Sequence, residues 1–200
     1  MDPKKLAPLS AYRARRHRAE TPEPEGQESH GETLGPTHRF VVQEHRASTL
    51  HWDFRLEADG VLKSWAVPKG PSTDPREKRL AVATEDHPLD YVDFEGVIAE
   101  GQYGAGAVIV WDRGTYRNLP GDEGDLSAAL EQGHAEIWLE GEKLRGGYLL
   151  QHAKLGGKNE NWLLIKLKDE AADARRNPTH TQKRSVISGR TSAELQRLRT

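Results

Sequence analysis

Two hundred residues, 35% of them hydrophobic and 30% charged, describe a chain long enough for one core with flanking segments and too short for a second full domain. With no cysteine there are no disulfides, thiolate metal sites or cysteine nucleophiles, so any metal must be held by His, Asp or Glu, and nine histidines keep that option open. The net charge of −2 hides an uneven distribution: Lys/Arg outnumber acids six to two over residues 1–22 and nine to four over 166–200, while 80–165 carries six against 15, so basic flanks surround an acidic body.

In chain order, residues 1–36 pair an arginine-rich arm with a Pro/Glu/Gly linker, TPEPEGQESHGETLGP, that reads as loop or disorder. The arm lacks the apolar stretch of a signal peptide, and no later run approaches the roughly 18 apolar residues of a spanning helix. A cytoplasmic protein with no membrane partner is the expectation. From residue 37 to 168 the pattern changes to short alternating runs: RFVVQEH, LHWDFRLE, VLKSWAVP, RLAVATED, AVIVWD, HAEIWLE, GYLLQHA and NWLLIKL. Asp59-Gly60 is a hairpin cue because that turn needs positive φ at both central positions, and Asp112-Arg113-Gly114 and Gly141-Glu142-Lys143 read as further reversals. Asp125 or Ser127 is placed to cap a short helix over 126–132 that stops at Gly133. The fold class is mainly β, an antiparallel barrel of about eight strands with short flanking helices, since closure removes exposed edges. Residues 169–200 revert to a polar basic tail with a terminal helix over 192–199. The loop GQYGAG over 101–106 lacks a P-loop ending and reads as a structural turn; the five tryptophans read as core, and Tyr91 and Tyr103, in turns, as base-stacking candidates.

LHWDFRLE carries the chemistry. Alternation puts Leu50, Trp52, Phe54 and Leu56 on one face and His51, Asp53 and Arg55 on the other, and pairing with RFVVQEH adds Gln43 and His45 to the second face. His45, His51 and Asp53 then form a set suited to Mn²⁺, Fe²⁺ or Zn²⁺, with Arg55 beside it for an anion. The same pattern also describes the solvated polar face of a half-buried sheet, and spacing alone leaves both readings open. RLAVATED brings Ala81, Ala83, Glu85 and His87 to one side, with His87 at a strand end as a general acid titrating near neutrality; Lys69 and Arg79 add positive charge at the same rim.

Over residues 37–168 the sequence resembles the 3′-phosphoesterase module of bacterial DNA ligase D, from RFVVQEHRASTLHWDFRLEADGVLKSWAVPKGPS through RLAVATEDHPLDYVDFEGVIAEGQYGAGAVIVWDRGTY to NWLLIK. The resemblance implies a β-barrel with a crescent groove and Mn²⁺-dependent trimming of DNA 3′ ends in non-homologous end joining, with Co²⁺ or Zn²⁺ as other divalent candidates. A 3′-terminal ribonucleoside is removed to leave a 3′-phosphate, which is then hydrolysed to a 3′-hydroxyl. It assigns the metal to His45, His51 and Asp53 and the scissile phosphate to Arg55 and His87, and places Glu85 in the same site. Lys69, Arg79, Gln43 and Tyr91 match substrate-binding positions, and Arg16 and Glu23 match functional residues of the N-terminal segment, whose usual acid is replaced by His17. Implied partners are primer-template 3′ ends and a DNA ligase, polymerase or Ku-like end-joining protein. SVISGRTSAEL resembles the linker that follows this module in fused ligases, but no KxDG nucleotidyl lysine occurs in the sequence, so ligation is expected from another polypeptide or from a part absent from this sequence.

Two other readings stay in view. A non-haem iron oxygenase would use His51, Asp53 and a distal His134, with Arg145 eleven residues later. A silent end-binding module would use only the basic flanks.

Overall fold

The computed structural model describes residues 9–16, 21–26, 38–119, 125–153 and 161–198. Eight antiparallel strands close into a barrel. In chain order they are β1 (His38–Arg46), β2 (Leu50–Ala58), β3 (Val61–Val67), β4 (Lys78–Ala83), β7 (Gly106–Asn118), β8 (His134–Gly141), β9 (Arg145–His152) and β10 (Asn161–Lys166). The ring runs β1-β2-β3-β4-β10-β9-β8-β7 and returns to β1. Two short strands lie off it: β5 (His87–Pro88) pairs with β3, and β6 (Gly96–Ile98) pairs with β7. The expected eight-stranded barrel is therefore the fold.

Side chains of the ring that point inward, among them Phe40, Trp52, Phe54, Leu56, Trp65, Trp111, Tyr148 and Trp162, fill the barrel. A second apolar layer packs on the outside of β1, β3 and β7: Val41, Leu62, Val108 and Val110 meet Tyr91 and Phe94 from the 89–94 segment and Leu9 and Tyr12 from α1 (Ser10–Ala14). This second layer covers the outer face of β1, and polar partners cover Asp53, Arg55 and Glu57 on the outer face of β2, so both strands lose the in/out alternation of a one-sided sheet. Trp138 departs from the expectation for tryptophans: it is half-buried on the outer face of β8, with the Arg117 guanidinium 5.5 Å from its ring centre.

Turn chemistry sets the register. Asp59 and Gly60 have φ of 52° and 74°, the conformation the β2–β3 hairpin was expected to need. Residues 141–144 close the β8–β9 hairpin. The expected reversal at residues 112–114 is absent, because β7 runs straight through them. Its pairing with β1 shifts between Val42 and Gln43, leaving Trp111 as the extra residue of a bulge. Gly114 reflects a close approach of backbones instead of a turn: a Cβ there would meet the Glu140 carbonyl oxygen at 2.0 Å.

Asp125 caps α2 (Leu126–Glu131) by accepting from the Ala128 amide at 2.8 Å. The flanks are packed onto the barrel. Beyond β10, Lys166 bonds Asp169, the Trp111 indole donates to the Gln182 carbonyl at 2.7 Å, and the Val186 amide bonds Val110. α3 (Ser192–Arg197) carries a capping box of Thr191 and Glu194, and the Ser192 hydroxyl donates to buried Glu44 at 2.5 Å. Polar composition over 169–198 reflects a segment that binds through hydrogen bonds at its own backbone carbonyls, which no apolar pattern announces. His17 lies outside the described residues. No helix among the described residues is long and apolar enough to cross a membrane.

Candidate metal and phosphate site

Pairing of β1 with β2 places His45 opposite His51 and Gln43 opposite Asp53. One ligand atom from each of His45, His51 and Asp53 lies within 4.8 Å of the other two. His45 Nε2 is 2.9 Å from the Gly104 carbonyl and His51 Nδ1 is 3.0 Å from the Thr49 carbonyl. A carbonyl only accepts, so those nitrogens carry the protons. The lone pairs of His45 Nδ1 and His51 Nε2 are left facing the Asp53 oxygens at 3.5 and 3.6 Å. Two neutral imidazoles fixed by carbonyls and one carboxylate fit a divalent transition metal. Burial alone would raise the Asp53 carboxyl, but the Arg55 guanidinium beside it, with the two polar imidazoles, outweighs burial and holds the carboxyl well below the usual range.

Arg55 is 3% exposed and held on every side. Its Nη2 is 3.1 Å from Asp53, Nε donates to Gln43 Oε1 at 2.8 Å, Nη1 is 2.9 Å from His87 Nδ1, and the Tyr91 ring centre lies 5.0 Å away. Gln43, fully buried, spends its amide on the Tyr91 and Phe94 carbonyls, so it positions Arg55 and does not line the cavity.

His87 differs from its expected place. It is 4% exposed, beneath the arm and not at a rim, because the chain breaks strand geometry after Ala83 and re-enters as β5, paired with Val61 and Leu62 of β3. Ala81 and Ala83 instead face the barrel interior. Burial, then the Arg55 and Arg16 charges, push the His87 imidazole well below its ordinary value and keep it neutral.

The N-terminal arm completes the enclosure. Arg16 donates to Glu23 at 2.9 Å and to Glu85 at 3.3 Å, and its Nη2 is 3.4 Å from His87 Nε2. Glu23 also receives the Tyr91 hydroxyl at 2.8 Å. Tyr91 is thus buried to 2%, which removes it as a stacking platform, and burial followed by the Glu23 charge raises its phenol well above the ordinary range. These groups surround a cavity of about 300 Å³ whose lining includes Arg16, Glu23, Asp53, Arg55, Glu85 and His87. Three carboxylates there face two arginines, so the cavity has no positive excess of its own for a phosphate; a divalent cation on the His/Asp set would provide it.

Lys69 and Arg79 do not line the cavity. Lys69 is exposed just beyond β3, and Arg79 pairs with Glu77 at 2.5 Å. His134 is half-exposed on β8 and 2.9 Å from Gln151; among the described residues, His45, His51 and Asp53 are the only metal-competent group, so no facial triad with His134 forms. Contributions that sequence reasoning missed are the Gly104 and Thr49 carbonyls and Arg15, which bonds Glu85 at 2.8 Å; main-chain acceptors leave no side-chain signal.

The DNA ligase D 3′-phosphoesterase domain family matches residues 43–152, the span holding His45, His51 and Asp53. The chain belongs to that family. Relatives include the multifunctional non-homologous end joining proteins LigD of Pseudomonas aeruginosa, 53% identical over 165 residues, and Mycolicibacterium smegmatis, 43% identical over 164. The corresponding end joining DNA repair protein of Mycobacterium tuberculosis is 41% identical over 162 residues. These alignments cover 81–82% of this family member but only 19–21% of the relatives, so the chain spans about a fifth of their length.

Proposed function

We propose that this chain is a divalent-metal-dependent phosphoesterase that trims nucleic-acid 3′ ends for end joining, removing a 3′-terminal ribonucleoside and then the remaining 3′-phosphate. The observation that carries the reading is the His45, His51 and Asp53 ligand set abutting the buried Arg55–His87 pair. When bound, a cation such as Mn²⁺ supplies Lewis-acid neutralisation of phosphate oxygens. Arg55, immobilised by Gln43 and Asp53, presents its guanidinium to the phosphate without reorganising. Neutral His87 lies between two guanidiniums; an entering phosphate offsets their charge, raises its proton affinity and readies it to protonate the leaving oxygen. Arg16, locked to Glu23 and Glu85, closes one side of the cavity and holds a second guanidinium beside the reacting group, while water, the co-reactant of hydrolysis, enters from the open side. Lys69 and Arg79 lie outside the cavity and would act, if on substrate, along the strand beyond it.

The test is a primer-template with one 3′-terminal ribonucleotide, incubated with Mn²⁺ and resolved on a gel. The expected series is a 3′-phosphate end followed by a 3′-hydroxyl end, abolished by chelator. An unchanged primer would overturn the reading. A silent end-binding module would instead keep full DNA affinity and cellular role in His51→Ala. A cytoplasmic setting and association with a ligase, polymerase or Ku-like protein complete the proposal.

A further inference from the structure

A divalent cation on the His/Asp set together with Arg55 would account for a phosphate, but a 3′-terminal nucleoside also carries a base. Deep in the cavity Tyr91 offers no open face for one, being 2% exposed and packed against Phe94, 4.8 Å between ring centres. At its mouth there is a different ring. Tyr103 is 47% exposed, and among the exposed large apolar side chains of the described residues, which also include Leu80, Ile187 and Leu198, it alone is aromatic. It lines the same cavity as the metal set.

Its placement is fixed from two directions. Gly101 and Gly104, at φ of 84° and 75°, shape the turn around it, and the next residue's carbonyl is the acceptor that orients His45. A shift of this turn would disturb a metal ligand, so the ring keeps a set distance from the reacting phosphate. From the arm, the Arg15 guanidinium donates to the Tyr103 hydroxyl at 2.7 Å and to Glu85 at 2.8 Å, with its carbon 5.0 Å from the ring centre. Arg16 lies 5.7 Å from the same centre. A half-exposed ring tethered by an arginine beside a phosphate pocket is the arrangement by which proteins stack a nucleobase without reading its identity.

We propose that Tyr103, braced by Arg15, is a base-stacking subsite for the 3′-terminal nucleoside of the substrate. The subsite rests on the reading of the cavity as a 3′-end-processing site. It recognises any base, since every base offers a π-face, and loses its grip on an end that lacks one.

The experiment uses the full chain and a primer-template ending in a 2-aminopurine riboside, whose fluorescence is quenched on stacking, beside the same primer ending in an abasic ribose. Wild type is expected to quench the probe and bind it about tenfold more tightly than the abasic end. Tyr103→Ala should lose the quench and the tenfold preference, while Tyr103→Phe and Tyr103→Trp keep both; Leu80→Ala, at an exposed site on β4 outside the cavity, should match wild type. A Tyr103→Ala protein that keeps quench and preference would overturn the subsite, as would a Tyr103→Phe protein that loses them, since the hydroxyl and not the ring would then be responsible. Those results leave 3′-end trimming by wild type intact and so speak only against the subsite. A wild type that neither binds nor trims either primer removes the end-processing reading and the subsite with it.

Discussion

Asp53 and Asp112 are both buried, at 6% and 0% exposure, and they face consecutive residues of β1, Asp53 opposite Gln43 and Asp112 opposite Val42. Their carboxyls are driven in opposite directions. Asp53 has Arg55, His45 and His51 around it, and these outweigh its burial and keep it ionised. Asp112 meets only main-chain donors, the amides of Glu142, Lys143 and Leu144 at 2.8–3.0 Å, and burial wins, lifting it to about 6. Burial therefore does not separate a functional carboxylate from a structural one; the charge of its neighbours does. One aspartate stays charged beside two imidazoles, and the other ties off the β8–β9 hairpin.

The sharpest way to break this contrast is Asp53→Asn, which keeps the shape and removes the charge. Phosphoesterase activity is expected to fall by at least about a hundredfold, together with Mn²⁺ affinity by calorimetry, while the fold survives. Retained turnover would take Asp53 out of the ligand set. Asp112→Ala should do the reverse, sparing the site while leaving three hairpin amides without an acceptor, at about 1–3 kcal/mol by denaturant titration at pH 5. The pH dependence has a definite sign. An ordinary aspartate titrates at 3.8 and folded Asp112 at about 6, so its stabilising share is complete below the first value and is lost as pH rises through the second. The gap between wild type and Asp112→Ala is expected to narrow between pH 5 and pH 7; a gap that widens would mean the amides hold the anion after all.

Gln43→Leu sharpens the Asp53 side of the comparison. It removes the acceptor for Arg55 Nε without touching a ligand atom, so kcat should drop about tenfold with Mn²⁺ affinity preserved. Equal loss of both would show that Gln43 supports the metal set directly. The smallest effect is expected one residue from Asp112, at the exposed Arg113–Asp93 pair, whose side chains are 43% and 63% accessible. Arg113→Ala should change stability by less than about 1 kcal/mol, because solvent screens what burial would amplify.

Much of the site was legible because β-alternation is a strict geometric rule. His51, Asp53 and Arg55 share a face by period two, and the short connection at residues 46–49 sets the register that brings His45 and Gln43 beside them. The resemblance to the ligase D module covered the same strands and added Arg16 and Glu23, which no local pattern singles out. His87 was named, but its burial and depressed titration were not foreseen, since they come from an arm and a strand break that fold over it from elsewhere. Lys69 and Arg79 went the other way: both are cations in the right segment, but Lys69 is exposed beyond the end of β3 and Arg79 pairs with Glu77, and neither lines the cavity.

Composition behaved similarly. Its arithmetic left His, Asp and Glu as the candidates for holding a metal, and the turn at Asp59-Gly60 and the closed barrel followed from local conformational preference and hydrophobic period. The polar basic flanks, by contrast, read as arm and tail, yet residues 9–16 and 169–198 lie against the barrel. They do so through a few apolar anchors such as Leu9 and Tyr12 and through carbonyls and carboxylates that pair only once the strands are in place. Sequence alone determined which groups share a strand face, because that depends on neighbours in the chain. Tertiary structure decided which of them are buried, charged and enclosed, because those properties depend on partners dozens of residues away.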